Sequence, residues 1–186
     1  DMYNLIKGEV LGLRAFCHLD LLRLYGPIPG KQTDKKILSY AGEVSRQNMP
    51  VNTWAEYVAF LEQDLNEAEA LLEKVEKKGI ENDYFTYRQN RMNYWAVMAV
   101  KARFYLWIQN KEKAAEYAAK VIAGAGVQFK LSQPENFTNK DYIASSEHLF
   151  SIHVYNLEDI TEAFFYRAGG VEQTKSLIAK LFEGDV

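Results

Sequence analysis

Along residues 3–25, Ile6, Val10, Leu13, Phe16, Cys17, Leu21 and Leu24 recur at spacings of three and four, which predicts a helix with those side chains on its core face. Gly26 supplies a C-terminal stop, and Pro27 and Pro29 forbid continuation. The pattern lapses between Lys31 and Asn52. A connection of that length is uncommon inside a compact domain, so it reads as a packed functional loop or a short extended segment around 37–44. Thr53 and Glu56 then stand in capping-box register, each able to satisfy an orphan backbone amide of the other. Trp54, Val58, Leu61, Leu65, Ala68, Leu72 and Val75 follow as a second helical stripe, closed by Gly79.

An aromatic-rich third helix is expected from about Arg91 to Gln109. Asn110 is the expected N-cap of a fourth over 111–123, ended by Gly124 and Gly126. All four prolines, Pro27, Pro29, Pro50 and Pro134, fall between these helices, as the missing N–H and the ring clash require. Beyond residue 127 the period changes. In "EHLFSIHVYN", Phe150, Ile152 and Val154 alternate with Ser151 and His153, which is strand-like. Gly169-Gly170 precedes a last helix over 171–182 with Ile178, Leu181 and Phe182 on one face.

The expected fold is mainly α: tetratricopeptide-like helical hairpins forming an α-α superhelix, with a long inserted loop and a minor strand or irregular C-terminal part. In the hairpin at 91–123, Ala102 and Ala114 take the small positions and Tyr105 the aromatic one, with Met98, Ala118 and Gly126 at the other signature places. The two small residues allow close helix approach, while the tyrosine fills the groove beside them. The expected organisation is a single domain over 1–186, with a helical scaffold in 1–126 and a mixed segment in 127–186. The sequence stops at "EGDV" without a polar tail, and truncation at both ends is expected.

Composition narrows the chemistry. The 186 residues are 48% hydrophobic and 25% charged, ordinary for a globular fold. A net charge of −3 and a pI of about 5.7 argue against a nucleic-acid binder. Neither a charged n-region with an apolar h-region nor an apolar run of ~18 residues is present in these residues. The single Cys17 excludes an internal disulfide framework and reads as a small core side chain.

His18, His148 and His153 show no metal-ligand spacing, so no metal is expected. No phosphate loop, nucleophile elbow or Cys/His pair stands out. Glu67, Glu69, Glu73 and Glu76 read as the solvated outer face of the second helix. The chain is therefore expected not to be an enzyme, with no catalytic residue and no cofactor. Aromatic residues, at 13% with twelve Tyr, are the one compositional hint of binding, because flat rings match the C–H faces of sugars. Tyr84, Phe85 and Tyr87 form a candidate platform, although loop rings commonly pack against the core.

The stretch "GEVLGLRAFCHLDLLRLYGPIP" resembles a segment of the SusD/RagB-like proteins, matching at Gly8, Glu9, Leu13, Arg14, Ala15, Phe16, Leu24, Tyr25, Gly26, Pro27 and Pro29. Four further segments fall in the family's order: "ILSYAGEVS", "WAEYVAFLEQDLNEAEALL", the 91–122 hairpin and "EHLFSI". The likeness covers most of residues 3–152 and departs at Val10, Cys17 and Met98.

The resemblance implies a lipid-anchored protein on the outer face of a Gram-negative outer membrane, used in polysaccharide utilisation. It implies capture of a glycan or other nutrient and delivery to a SusC-like TonB-dependent transporter, without covalent chemistry. Membrane contact would come only through a lipid anchor absent from this chain. The family's ligand residues vary and often lie outside the matching part. The ligand-binding residues here are therefore unknown, and Arg14 and Tyr25 are expected to be structural. The alternative is an unrelated tetratricopeptide-like adaptor that binds protein partners in a helical groove.

Overall fold

A computed structural model describes residues 2–78, 87–126, 129–139, 144–152 and 154–162. Gly79, Tyr84, Phe85, His153 and the helix expected over 171–182 lie outside the described residues. The chain divides into two compact units, Asp1–Ser151 and Ile152–Val186.

In the first unit the order is α1 (Met2–Tyr25), β1 (Lys36–Ser39), β2 (Val51–Thr53), α2 (Trp54–Lys78), α3 (Tyr94–Trp107), α4 (Lys111–Ala125) and α5 (Pro134–Thr138). Two helical pairs, α1 with α2 and α3 with α4, are joined chiefly through α2 and α3. In the second unit the described element is α6 (Leu157–Thr161).

The caps follow local chemistry. Thr53 N donates to Glu56 Oε2 at 2.8 Å and Glu56 N donates to Thr53 Oγ1 at 3.3 Å, so the capping box forms as read. Asn93 caps α3 by accepting from Ala96 N at 3.0 Å, which starts that helix later than expected. Asn110 caps α4 by accepting from Lys113 N at 3.1 Å. Pro134 opens the short helix α5, a position where its missing N–H costs nothing.

Helix α1 turns the opposite way from the expected one. Its core face is Leu5, Gly8, Leu11, Gly12, Ala15, His18, Leu19 and Leu22. Ile6, Val10, Leu13, Leu21 and Leu24 are exposed instead, Val10 at 54% and Leu24 at 73%, and Cys17 lies exposed with them. Phe16 alone of the expected face is half-buried, meeting Phe150 edge-to-face at 5.7 Å. Both sides of the helix are apolar, so periodicity could not choose between them. Backbone proximity does. A Cβ on Gly8 would come within 2.7 Å of Leu72, and one on Gly12 within 2.7 Å of Met92 and 2.8 Å of Val97. Only the side carrying small residues can approach its neighbours this closely.

The second stripe behaves as read, with Leu61, Leu65, Ala68, Leu72 and Val75 buried, and Tyr57 joins them. In the hairpin of α3 and α4, Tyr105, Met98 and Ala114 are buried, and Tyr105 stacks on Tyr117 at 5.4 Å. Gly124 does not end α4. It lies inside the helix, where a Cβ would stand 2.0 Å from the Trp95 ring, so the glycine serves close approach.

The connection after α1 is an antiparallel two-stranded ribbon, pairing Lys36 with Thr53 and Ser39 with Val51. The expected strand at 147–152 is absent. Residues 145–147 form a 3-10 turn, and the following chain is irregular. Its polar groups are satisfied sideways, not by a ladder: Ser151 N donates to Gln89 O at 2.6 Å, and Asn93 Nδ2 donates to Leu149 O at 2.7 Å.

Candidate functional site

The densest polar constellation lies where α1, α2 and the residue after β1 meet. Arg14 projects from α1 and grips Asp64 of α2 with two parallel bonds of 2.6 Å, from Nε to Oδ2 and from Nη2 to Oδ1. Its Nη1 also donates to the Gly42 carbonyl. Tyr40, buried just past β1, donates its hydroxyl to Asp64 Oδ2. Burial first, and the Asp64 carboxylate next, push the Tyr40 phenol well above its ordinary range. Tyr40 N is held by Asn52 Oδ1 at 2.9 Å, which ties the ribbon to itself.

His18 completes the constellation. Ala41 N donates to its Nε2 at 3.2 Å, its Nδ1 meets the Tyr57 hydroxyl at 2.6 Å, and that hydroxyl donates to the His18 carbonyl at 3.2 Å. These directions require the neutral ring protonated on Nδ1, since Nε2 must accept. Desolvation, followed by the nearby Arg14 charge, holds His18 below the usual imidazole range, against a smaller opposing pull from Asp64. Burial pushes Tyr57 up to about 12. The His18 ring stacks on Tyr40 at 4.0 Å.

The facing charged and titratable groups are thus Arg14, Asp64, Tyr40 and Tyr57. Because the folded pKa lies below the unfolded value near 6.5, the unfolded state binds more protons between the two. The contribution of neutral His18 is therefore complete above about pH 6.5 and is lost as pH falls through the folded pKa. His18→Asn should flatten this acid limb in a urea-midpoint series from pH 7.5 to 5. An unchanged slope would place the titration elsewhere.

A second ionic group joins α2 to the hairpin. Lys101 is 1% exposed and donates to Asn66 Oδ1 at 2.7 Å and to Glu69, with its ammonium 4.4 Å from the centre of the Tyr117 ring. Glu76 pairs with Arg88, and Glu67 with Lys7 at 2.5 Å. The acidic run of α2 is therefore not a uniformly solvated face. Glu69 and Glu76 turn inward because α3 and the segment before it supply cations to meet them.

The glutamate and arginine in the opening motif also have architectural partners. Arg91 grips Glu9 with bonds of 2.7 and 2.6 Å, fastening the approach to α3 onto α1. Tyr25 is 71% exposed, whereas Gly26 sits so close to the last turn that a Cβ would be 2.4 Å from the Leu22 carbonyl oxygen.

Of the histidines, His18 is committed to hydrogen bonds and His148 is half-buried. Among the described residues no group of three or more His, Cys, Asp or Glu is arranged to hold a metal ion. Of the expected aromatic platform, Tyr87 is 73% exposed and adopts a left-handed φ of 52°.

Among the concavities that open between the described residues of this unit are three formed at element ends and junctions. One of about 260 Å³ opens beside Arg14, Tyr40, Phe60 and Asp64. One of about 600 Å³ runs along the end of α4 and is mostly apolar, with Val121, Ile122, Phe129, Leu131 and Leu149 in its walls. A third of about 390 Å³ adjoins the two-proline turn and is lined by Arg23, Ile28, Pro29, Arg103, Leu106, Trp107 and Gln109. The sequence reading missed all three, because each is assembled from segments distant in the chain.

The backbone arrangement has known counterparts. A SusD superfamily protein from Bacteroides vulgatus superposes with a TM-score of 0.58 at 27% identity, over 73% of this chain and 29% of its own. One from Bacteroides thetaiotaomicron gives 0.58 at 24% identity, over 73% and 28%. The fold is SusD-like. A third structure, a SusD-like carbohydrate binding protein from Bacteroides vulgatus, superposes at 0.53 with 24% identity, over 71% and 26%. The match with this SusD-like fold spans less than a third of the length of these structures. No family model matches the sequence, and none of the curated proteins matches it. Among the described residues, no helix is long and apolar enough to cross a membrane.

Proposed function

We propose that this chain belongs to a nutrient-binding protein that captures a glycan at the cell surface and passes it to a TonB-dependent outer-membrane transporter. The observation that carries the reading is the match, over 73% of the chain at 27% identity, to a SusD superfamily structure. In this reading residues 1–186 are one scaffold domain of a lipid-anchored surface protein of a Gram-negative bacterium. The protein does binding and hand-over, with no covalent step. A ligand that touches the closed assembly more extensively than the open one would drive closure by that difference alone.

The polar constellations fit such a role. Arg14, His18, Asp64 and Lys101 are engaged in fastening helices and the ribbon to one another. They are used for rigidity, and surface recognition falls to the concavities.

Two measurements test the reading together. Calorimetric titration of the chain against a panel of soluble oligosaccharides should give saturable heat for at least one. Antibody detection in fractionated cells of the source organism should find the protein in the outer membrane, co-purifying with a TonB-dependent transporter. A soluble protein that co-purifies only with other partners and binds no glycan would favour a tetratricopeptide-like adaptor instead.

A further inference from the structure

We propose that the concavity beside the two-proline turn is a subsite for an acidic sugar, a uronate or a sulfated residue. This rests on the glycan-binding reading and names the class of ligand. The two side chains that decide it come from different helices: Arg23 from the last turn of α1 and Arg103 from α3. Both donate to the same oxygen, Asp20 Oδ1, Arg23 Nη1 at 2.9 Å and Arg103 Nη2 at 3.2 Å. A guanidinium carries five N–H donors. One from each is used on Asp20, so most of both forks has no hydrogen-bond acceptor among the described residues. Two cations share one carboxylate, which leaves a local positive excess on a chain whose net charge is −3.

Apart from the Gln109 amide, the rest of the concavity is apolar and partly aromatic. Arg23 lies over the Trp107 ring at 5.8 Å and Arg103 over Phe16 at 5.7 Å, contacts that hold both guanidiniums in place. Ile28, Pro29, Leu106 and Gln109 form the remaining walls, with Ile28 and Leu106 well exposed. The volume of about 390 Å³ falls within the range of small-molecule sites.

Planar or tripodal oxyanions suit the paired forks, which can each bind through two parallel bonds. The C–H face of a pyranose suits Trp107 and Pro29. A neutral sugar would satisfy the walls and leave the guanidinium donors to water, and a simple inorganic anion would leave the walls unused. An acidic sugar uses both.

The test is calorimetric titration of the whole 186-residue chain with trigalacturonate, its methyl ester, a sulfated disaccharide and maltotriose. The acidic ligands should bind, with affinity falling as salt is raised. Arg23→Gln and Arg103→Gln should each weaken that binding about 10- to 100-fold, the loss expected for a charged hydrogen-bonded contact. Both side chains are well exposed, and circular dichroism would confirm that the variants remain folded.

Asp20→Asn supplies a readout that a purely structural role would not move. By removing the competing carboxylate it should tighten acidic-sugar binding several-fold. Preference for trigalacturonate or for the sulfated ligand would identify the acidic group. Equal binding of the acid and its methyl ester would overturn the proposal, as would acid binding indifferent to both arginine substitutions. Binding of maltotriose without either acidic ligand would overturn it too, and would leave the general glycan reading standing. Absence of binding by every sugar would remove both.

Discussion

Asp64→Ala is expected to destabilise the first unit by about 3–5 kcal/mol, the range for breaking a buried ion pair by removing one partner. The side chain of Asp64 is 7% exposed and serves three donors: Nε and Nη2 of Arg14 and the hydroxyl of Tyr40. Deleting the carboxylate leaves a cation between α1 and α2 with the Gly42 carbonyl as its one remaining hydrogen-bond acceptor among the described residues, and leaves a buried phenol without one. The loss should appear in urea denaturation at pH 7 as a lower midpoint with an unchanged slope.

The ribbon should respond as well. Tyr40 and Gly42 are both held through this ion pair, so limited proteolysis should cut the 41–50 segment sooner in the variant. A double variant, Arg14→Met with Asp64→Leu, should recover most of the stability, since replacing a whole buried pair by apolar side chains is often neutral. A cost for Asp64→Ala below about 1 kcal/mol would mean that the pair behaves as a solvated one.

The second large effect concerns Gly12, a position of α1 without a side chain. Gly12→Leu should cost about 3 kcal/mol or more, the upper end for overpacking, because its first carbon already meets Met92 and Val97 at under 3 Å. The gain in helix propensity on replacing a glycine is only about 1 kcal/mol and is outweighed. Val10→Leu, two positions away on the exposed side, should change stability by less than about 0.5 kcal/mol. Thermal unfolding of the two variants beside the parent distinguishes the faces. Equal tolerance at both positions would mean that α1 presents its other side to the core.

That pair of substitutions marks the limit of reading periodicity. In α2 the charged positions interrupt the apolar ones, so a single stripe was available and Leu61, Leu65, Ala68, Leu72 and Val75 could be placed in the core in advance. In α1 large aliphatic side chains occur on both sides, leucines on the buried one and leucine, isoleucine and valine on the exposed one. The informative residues were the small ones, Gly8, Gly12 and Ala15, which carry little weight in a hydrophobic count. Gly124 shows the same difficulty: a glycine near a helix end reads as a stop, and only the position of Trp95 reveals it as a contact.

The fastening polar residues were partly legible. The Glu9 and Arg14 of the opening motif were recognisable as a pattern, but their partners Arg91 and Asp64 lie 82 and 50 residues away. The acidic face of α2 looked uniform because nothing local distinguishes Glu69 from Glu73. One meets the buried ammonium of Lys101, while the other pairs along its own helix with Lys77 at 2.7 Å. The concavity lined by Arg23 and Arg103 had no signature either, since its arginines are 80 positions apart in a sequence without another cue to join them.

By itself, then, the sequence determined what short-range physics controls: the capping box at Thr53, the asparagine cap at Asn110, the proline-bounded ends and the helical character of the hairpins. Those depend on hydrogen bonds and sterics within a turn or two of chain. The tertiary structure alone decided which face of α1 is buried, that Leu149 O and Ser151 N meet Asn93 and Gln89 without a strand, and where the arginines converge. Each of these depends on what another segment offers at close range, an apolar surface, a carbonyl or a countercharge, and no periodicity along one segment records it.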